Sequence, residues 1–176
     1  MDLRTTRTIR STIEIRAPVE LAWRVLTDFA TYPDWNPIVR QLRGRPREGG
    51  RIMIRSQPLG RLPVALRPRV LAWQPPHELR WRSTFVWGRL FSGEHGFRLE
   101  PLAGDRVRFV QDETFSGLLV PLYSRLRLPA TRRAFELMNE LLRERAEAAA
   151  SSSAGQPSAG PAAGGPTTCR GAARSG

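Results

Sequence analysis

Residues 91–119 read FSGEHGFRLEPLAGDRVRFVQDETFSGLL, and the period of this stretch decides the fold. Phe91, Gly93, His95, Phe97 and Leu99 fall on one side of an extended chain. Val107, Phe109, Gln111, Glu113 and Phe115 do the same further on. An alternation of two sends one set of side chains to a buried face and the other to solvent. The intervening Pro-Leu-Ala-Gly-Asp carries the Gly and Asp of a hairpin connection. Two long antiparallel strands are therefore expected, over residues 90–100 and 106–115. A turn near Ala103-Gly104 sets His95 opposite Gln111 and Gly93 opposite Glu113. The aromatic residues decide which face is buried, whatever the register.

Working outward, shorter alternating runs at 51–55, 69–73 and 78–85 read as further strands, and Ile9 to Ile15 reads as the first. At Pro18 the period turns helical, with Glu20 near the positive helix end, then Leu21, Ala22, Val25 and Leu26, stopping near Asp28. Residues 32–37, with Pro33 and Pro37, leave room only for a short irregular piece. Beyond Phe115 the period returns to 3.6, with Leu122, Leu126, Ala130, Ala134, Leu137 and Leu141 on one expected apolar stripe. Pro121 and Pro129 make that helix start late or kink. Strands grouped antiparallel, with helices to one side, imply an α+β domain.

The chain has 176 residues, 40% of them hydrophobic, with five Trp and seven Phe, enough for one folded domain. Composition changes after Ala150. Residues 151–176 hold no Leu, Ile, Val or aromatic side chain and are expected to form a disordered tail beside a domain over 1–150. The tail contributes only Arg170 and Arg174 to the net charge of +12, so +10 belongs to the domain. All 28 basic residues are arginine. The total absence of lysine, beside an Ala/Gly/Pro-rich tail, fits codon bias in a GC-rich genome as well as an anionic partner. Cys169 alone allows neither an intrachain disulfide nor a cysteine-based zinc site. Arg4, Arg7, Arg10, Glu14 and Arg16 interrupt any signal-peptide core, and no run reaches the roughly 20 apolar residues of a membrane span. The expected location is cytoplasmic.

His95, Gln111 and Glu113 are the chemistry-bearing residues, because they share a face with large apolar side chains. Burying such groups unpaired costs about 1–3 kcal/mol each. Three accounts satisfy that cost: a self-contained network, polar anchors inside a ligand cavity, or acid/base catalysis by His95 with Glu113. Trp81 and Phe85 share a face with Leu79 and Ser83, and Trp23 and Trp35 belong to the N-terminal helical region. Such aromatics serve a core or the wall of a pocket. Nucleotide-binding glycine loops, a nucleophile elbow around Ser116 and nucleic-acid motifs are missing. His77, beside Pro75 and Pro76, reads as a surface turn. Two isolated histidines give no metal site, and no cofactor is expected.

The opening IEIRAPVELAWRVLTDFATYPDWNP (13–37), the hairpin string above and FELMNELLRERAE (135–147) together resemble the START-like, or SRPBCC, superfamily, which includes polyketide cyclases and lipid-transfer proteins. The resemblance covers about residues 8–148. It implies a helix-grip fold: a curved antiparallel sheet of about six or seven strands around a long C-terminal helix, with two short helical elements after the first strand. It also implies a hydrophobic cavity between sheet and helix, for lipids, sterols or polyketides, and in a minority of members a cyclisation or dehydration. Residues 32–37 would lie near one cavity end, and Asn139 would bond helix to sheet. No catalytic set transfers.

On this footing the chain is expected to bind a small apolar ligand such as a lipid or polyketide-like molecule. Trp81, Phe85, Phe97, Phe109, Met138 and Leu142 would form the wall, and His95, Gln111 and Glu113 would orient a polar end. The alternative is a cyclase or dehydratase with His95 or Glu113 as acid/base. A third reading takes Arg125, Arg127, Arg132 and Arg133, around Leu126, Leu128 and Pro129, as a basic amphipathic contact for an anionic membrane surface.

Overall fold

The computed structural model describes residues 5–57, 63–85 and 90–154, with the backbone alone at Phe85 and Ala154. In chain order the elements are β1 (Thr5–Ile15), α1 (Val19–Thr27), α2 (Tyr32–Trp35), β2 (Val39–Arg43), β3 (Met53–Ser56), β4 (Val64–Leu66), β5 (Arg69–Gln74), β6 (Glu78–Phe85), β7 (Phe91–Leu102), β8 (Arg106–Gly117), α3 (Val120–Leu126) and α4 (Leu128–Ala154).

Five strands pair antiparallel in the order β1-β8-β7-β6-β5, and three more in the order β2-β3-β4. A bridge between Arg51 and Arg69 joins the two groups, supported by a 2.8 Å bond from the Val70 amide to the Gly50 carbonyl. The expected six or seven strands are therefore eight among the described residues. The additions are β2, where only Leu42 is buried, and β4, three residues long with Val64 and Ala65 exposed. Neither has enough apolar alternation to announce itself.

The hairpin register differs from expectation by one pairing. The loop is Ala103-Gly104-Asp105, centred on Gly104, with Gly104 at φ +71° and Asp105 at φ +48°. His95 consequently faces Glu113, Phe97 faces Gln111, and Gly93 faces Phe115. A slip of one full pairing keeps every side chain on its face, so the buried aromatic set is unchanged.

α1 follows Pro18, whose carbonyl accepts the Leu21 and Ala22 amides, and buries Ala22, Trp23 and Leu26. In α2 the proline at the start and Pro37 beyond the end limit the helix to one turn. Asn36 then redirects the chain: its Oδ1 accepts the Ile38 and Val39 amides at 2.9 and 2.7 Å.

The long helix corrects the expected stripe. Pro129 cannot donate to a preceding turn, so α3 ends at Leu126 and α4 begins anew at Leu128. The buried face of α4 is Ala134, Phe135, Met138, Asn139, Leu142 and Ala146. Leu122, Leu126 and Leu137 are 58%, 60% and 43% exposed, and Ala130 is exposed too. At about 1.5 Å per residue α4 is some 40 Å long. It also runs four residues past the expected boundary at 150, with Ser151, Ser152 and Ser153 hydroxyls donating to carbonyls one turn back. The rest of the expected tail, with Cys169, lies outside the described residues. Asn139 Nδ2 donates to Ser11 Oγ of β1 at 3.0 Å, the helix-to-sheet bond the resemblance implies.

Helix and sheet close on one main core, from Ile15 and Trp23 through Leu79, Phe97, Phe109, Met138 and Leu142 to Ala146. This is the helix-grip arrangement. A smaller cluster of Ile9, Phe115, Val120 and Phe135 lies at the α3 end. On the far face of the sheet, Arg80 binds Asp112 through both Nη atoms at 3.0 and 3.2 Å and Glu78 through Nε at 2.9 Å. The bonds to Asp112 are the chief reason its guanidinium holds its proton more tightly than usual. No helix of the described residues is long and apolar enough to cross a membrane.

Candidate functional site

Cross-strand pairing arranges the helix-facing side chains in rows. Leu99, Phe109 and Ile13 form an apolar row; Leu79, Phe97, Gln111 and Ser11 form the next. Trp81, His95, Glu113 and Ile9 follow, then Ser83, Gly93 and Phe115. His95, Gln111, Glu113 and Trp81 are thus brought together, on three adjacent strands, as the sequence indicates.

The His95 ring lies parallel to Trp81, with centroids 5.0 Å apart and planes 3° from coincidence. Phe97 and Phe135 present edges to it at 4.6 and 5.0 Å. Held by three rings, the imidazole has its nitrogens fixed in direction. Nδ1 lies 3.6 Å from Glu113 Oε2, and Nε2 lies 3.3 Å from Gln111 Nε2. An amide NH₂ only donates, so with Gln111 oriented by this network Nε2 accepts and a neutral ring carries its proton on Nδ1, towards Glu113.

Gln111 also donates to Met138 Sδ at 3.5 Å, a sulfur that Asn36 Nδ2 approaches at the same distance. Its Oε1 is buried without a hydrogen-bond partner. This is the unmet polar demand of the site. His95 and Glu113 keep 13% and 19% of their side chains exposed, whereas Gln111 is fully enclosed. The polar row therefore runs from the core towards an edge.

Gly93 makes room for the carboxylate. A Cβ at this position would sit 2.9 Å from Glu113 Oε1. Tyr123 of α3 closes the same end, its ring 4.5 Å from Phe115 and 5.0 Å from Phe91. Thr131 Oγ1 donates to the Arg127 carbonyl, so the Tyr123 hydroxyl donates to Thr131, at 2.8 Å. Burial pushes the Tyr123 phenol up to about 12, and the Glu113 charge adds to it. Sequence reading misses Tyr123 and Phe135, because both reach the site from helices whose phase depends on the break at Arg127.

Phe97, Phe109, Met138 and Leu142, expected in a cavity wall, are packed in the core, and Phe97 stacks on Phe109 at 5.7 Å. The side chain of Phe85 lies outside the described residues. Two hollows occur elsewhere among the described residues. One of about 410 Å³ is lined by Glu14, Arg16, Arg106, Arg143, Glu144 and Glu147. The other, of about 360 Å³, lies between α3 and α4, lined by Ser124, Leu128, Pro129, Arg132, Arg133 and Glu136. His77 is exposed in the β5–β6 turn, as expected. Among the described residues no three His, Cys, Asp or Glu side chains cluster as metal ligands would.

Solved structures share this architecture at low identity. The Zhui aromatase/cyclase from Streptomyces sp. R1128 is 16% identical, with TM-score 0.56 over 80% of this chain and 96% of its own. A START superfamily protein from Mycobacterium smegmatis is 17% identical, TM-score 0.57, over 82% and 97%. Norcoclaurine synthase from Thalictrum flavum, solved with dopamine and hydroxybenzaldehyde, is 13% identical, TM-score 0.60, over 81% and 87%. These likenesses establish the fold. No curated protein matches the chain. The model of the family described as polyketide cyclase / dehydrase and lipid transport matches residues 6–150, and the chain belongs to that family.

Proposed function

We propose that this protein binds a small, mainly apolar molecule whose polar end is received by Glu113, held beside His95, at the more exposed end of the polar residues. The observation that carries the reading is a pair of adjacent rows that set a carboxylate, an imidazole and an amide among aromatic and aliphatic side chains, with Gln111 Oε1 buried and unpartnered. A face needed only for stability is served as well or better by apolar groups. Trp81, Phe91, Phe115 and Tyr123 surround the edge where ligand enters. Occupation of the deeper positions, beside Phe97, Phe109, Met138 and Leu142, requires the core to part. Each methylene that follows the polar end inward adds about 0.8 kcal/mol.

The test is a titration with a fluorescent fatty alcohol and with a fluorescent polyphenol, read by probe emission and by the melting temperature. Saturable binding, weakened in Glu113→Gln, supports the proposal. Failure of both probes to bind or to raise the melting temperature defeats it.

The second reading is acid/base catalysis of a cyclisation or dehydration, and the alignment of His95 Nδ1 on Glu113 Oε2 favours it. Both imidazole nitrogens nevertheless face protein groups, which leaves Glu113 as the group able to exchange a proton with a ligand. Turnover of a bound polyketide-like substrate by wild type, abolished in Glu113→Gln with binding retained, would establish the enzyme. Equal binding with no turnover in either protein would exclude it.

A further inference from the structure

Among the described residues the face of α3 turned away from the core is apolar and uncovered. Leu119, Leu122 and Leu126 recur at i, i+3 and i+7, one side of a helix, and Leu118 precedes them. All four are about half exposed or more. Val120 points the other way into the core, and half-buried Tyr123 packs on Phe115, so the exposed leucines are not needed to anchor the helix. Along the chain through this strip the charge is of one sign. From Ser116 to Phe135 the chain has four arginines and no acidic residue. Arg125 flanks the leucines on α3, and Arg132 and Arg133 stand exposed across the cleft on α4. Among the described residues none of these three forms an ion pair. The cleft is lined also by Leu128, Pro129 and Glu136, and by Ser124, whose Oγ is buried without a hydrogen-bond partner.

We propose that α3 and the first turns of α4 form a docking face for an anionic lipid bilayer, with the leucines entering the headgroup boundary and the arginines meeting lipid phosphates. Exposed leucines beside arginines are the complement of that surface: apolar just below, negative at the top. A second copy of this chain is the poorer occupant. A two-fold contact places the same patch against itself and would set arginine against arginine. A nucleic acid would be met by the arginines but gains nothing from the leucine strip. The face lies at the same end of the sheet as Glu113, yet the proposal does not depend on any ligand there.

The experiment uses the full chain and vesicles of phosphatidylcholine alone or with about one third phosphatidylglycerol, in co-sedimentation. Binding is expected to the anionic vesicles only and should fall steeply at about 1 M salt, where the Debye length is about 3 Å. Arg132→Gln with Arg133→Gln should weaken partition about twentyfold, near fivefold for each charge. Leu122→Ser with Leu126→Ser should weaken it tenfold or more. Circular dichroism and melting checks on each variant separate loss of docking from loss of fold. Equal binding to neutral vesicles, or none to either, overturns the proposal. So does tight binding to heparin that the serine variants leave unchanged, or a dimer in sedimentation equilibrium that the serine variants dissociate.

Discussion

Gly93→Ala tests whether a missing Cβ places the site carboxylate. The backbone of Gly93 lies outside the left-handed region, so an L residue fits it. The new Cβ would stand 2.9 Å from Glu113 Oε1. An ordinary contact is about 3.5 Å or more, so the carboxylate must retreat by roughly 0.6 Å. That oxygen is the free end of a flexible side chain, and it can swing away without moving a strand. Alanine in a strand gains about 0.5–1 kcal/mol over glycine, and the His95–Glu113 contact that is lost, already long at 3.6 Å, is worth no more than about 1 kcal/mol. Urea unfolding should therefore place the variant within about 1 kcal/mol of wild type. Binding of a carboxylate-sensing probe should suffer more, about tenfold, since a bond to a charged group is worth roughly 1.5–3 kcal/mol. Combined with Glu113→Gln, the alanine should cost no further affinity. An alanine that lowers affinity equally in both backgrounds, or lowers stability by more than about 2 kcal/mol, refutes the argument. Gly117 is the contrast: at φ +134°, with the Leu90 carbonyl against its Cβ position, it has no flexible neighbour to yield.

Asp112→Ala leaves the half-buried Arg80 guanidinium on Glu78 and Glu94, and urea melts should record a loss of about 2 kcal/mol; a loss below about 0.5 kcal/mol would show the network to be dispensable. Burial holds Tyr123 at about 12 against 10 for a free phenol. The fold thus favours the neutral form: its contribution is intact below pH 10 and lost as pH rises towards 12. Wild type should then lose about 2–3 kcal/mol more than Tyr123→Phe over that range, measured by denaturant unfolding; parallel pH profiles would contradict the assignment. Gln111→Met removes the orphaned oxygen, and its stability should lie within about 1 kcal/mol of wild type while probe affinity falls.

What the sequence discloses is whatever a local period fixes. The hairpin faces are legible in FSGEHGFRLE and RVRFVQDETF because alternation is a property of any extended chain. The register is not, because it depends on whether Ala103 or Gly104 centres the loop. Leucine spacing misleads in the C-terminal third. Leu122, Leu126 and Leu137 look like a core stripe, but Pro129 splits the helix, and Ala134, Phe135 and Met138 set the phase that meets the sheet. Ala134 alone of that expected stripe is core, and small Ala146 joins it, a residue that hydrophobicity does not rank. The same limit hides Tyr123, which reaches Phe115 only after the chain turns at Gly117.

The rows explain why a closed core and a binding site can occupy one sheet. Ile13, Leu99 and Phe109 have no polar member, and Gln111 enters the next row, fully enclosed. Beyond it His95 and Glu113 stand side by side with access to solvent, which reduces the cost of holding charge there. Polarity thus rises along the helix in the direction of α3, where the core narrows to Ile9, Phe115, Val120 and Phe135. Opening the sheet–helix seam at that end parts the smaller cluster and leaves the main core intact. The exposed leucines and arginines of α3 and α4 stand at this same end. A bilayer there would present apolar molecules directly to the edge beside Glu113. The two proposals still separate cleanly: Glu113→Gln should impair probe binding without altering vesicle partition, and Leu122→Ser with Leu126→Ser should do the reverse. If either substitution alters both equally, a single surface performs both tasks and the division between docking face and ligand row is wrong.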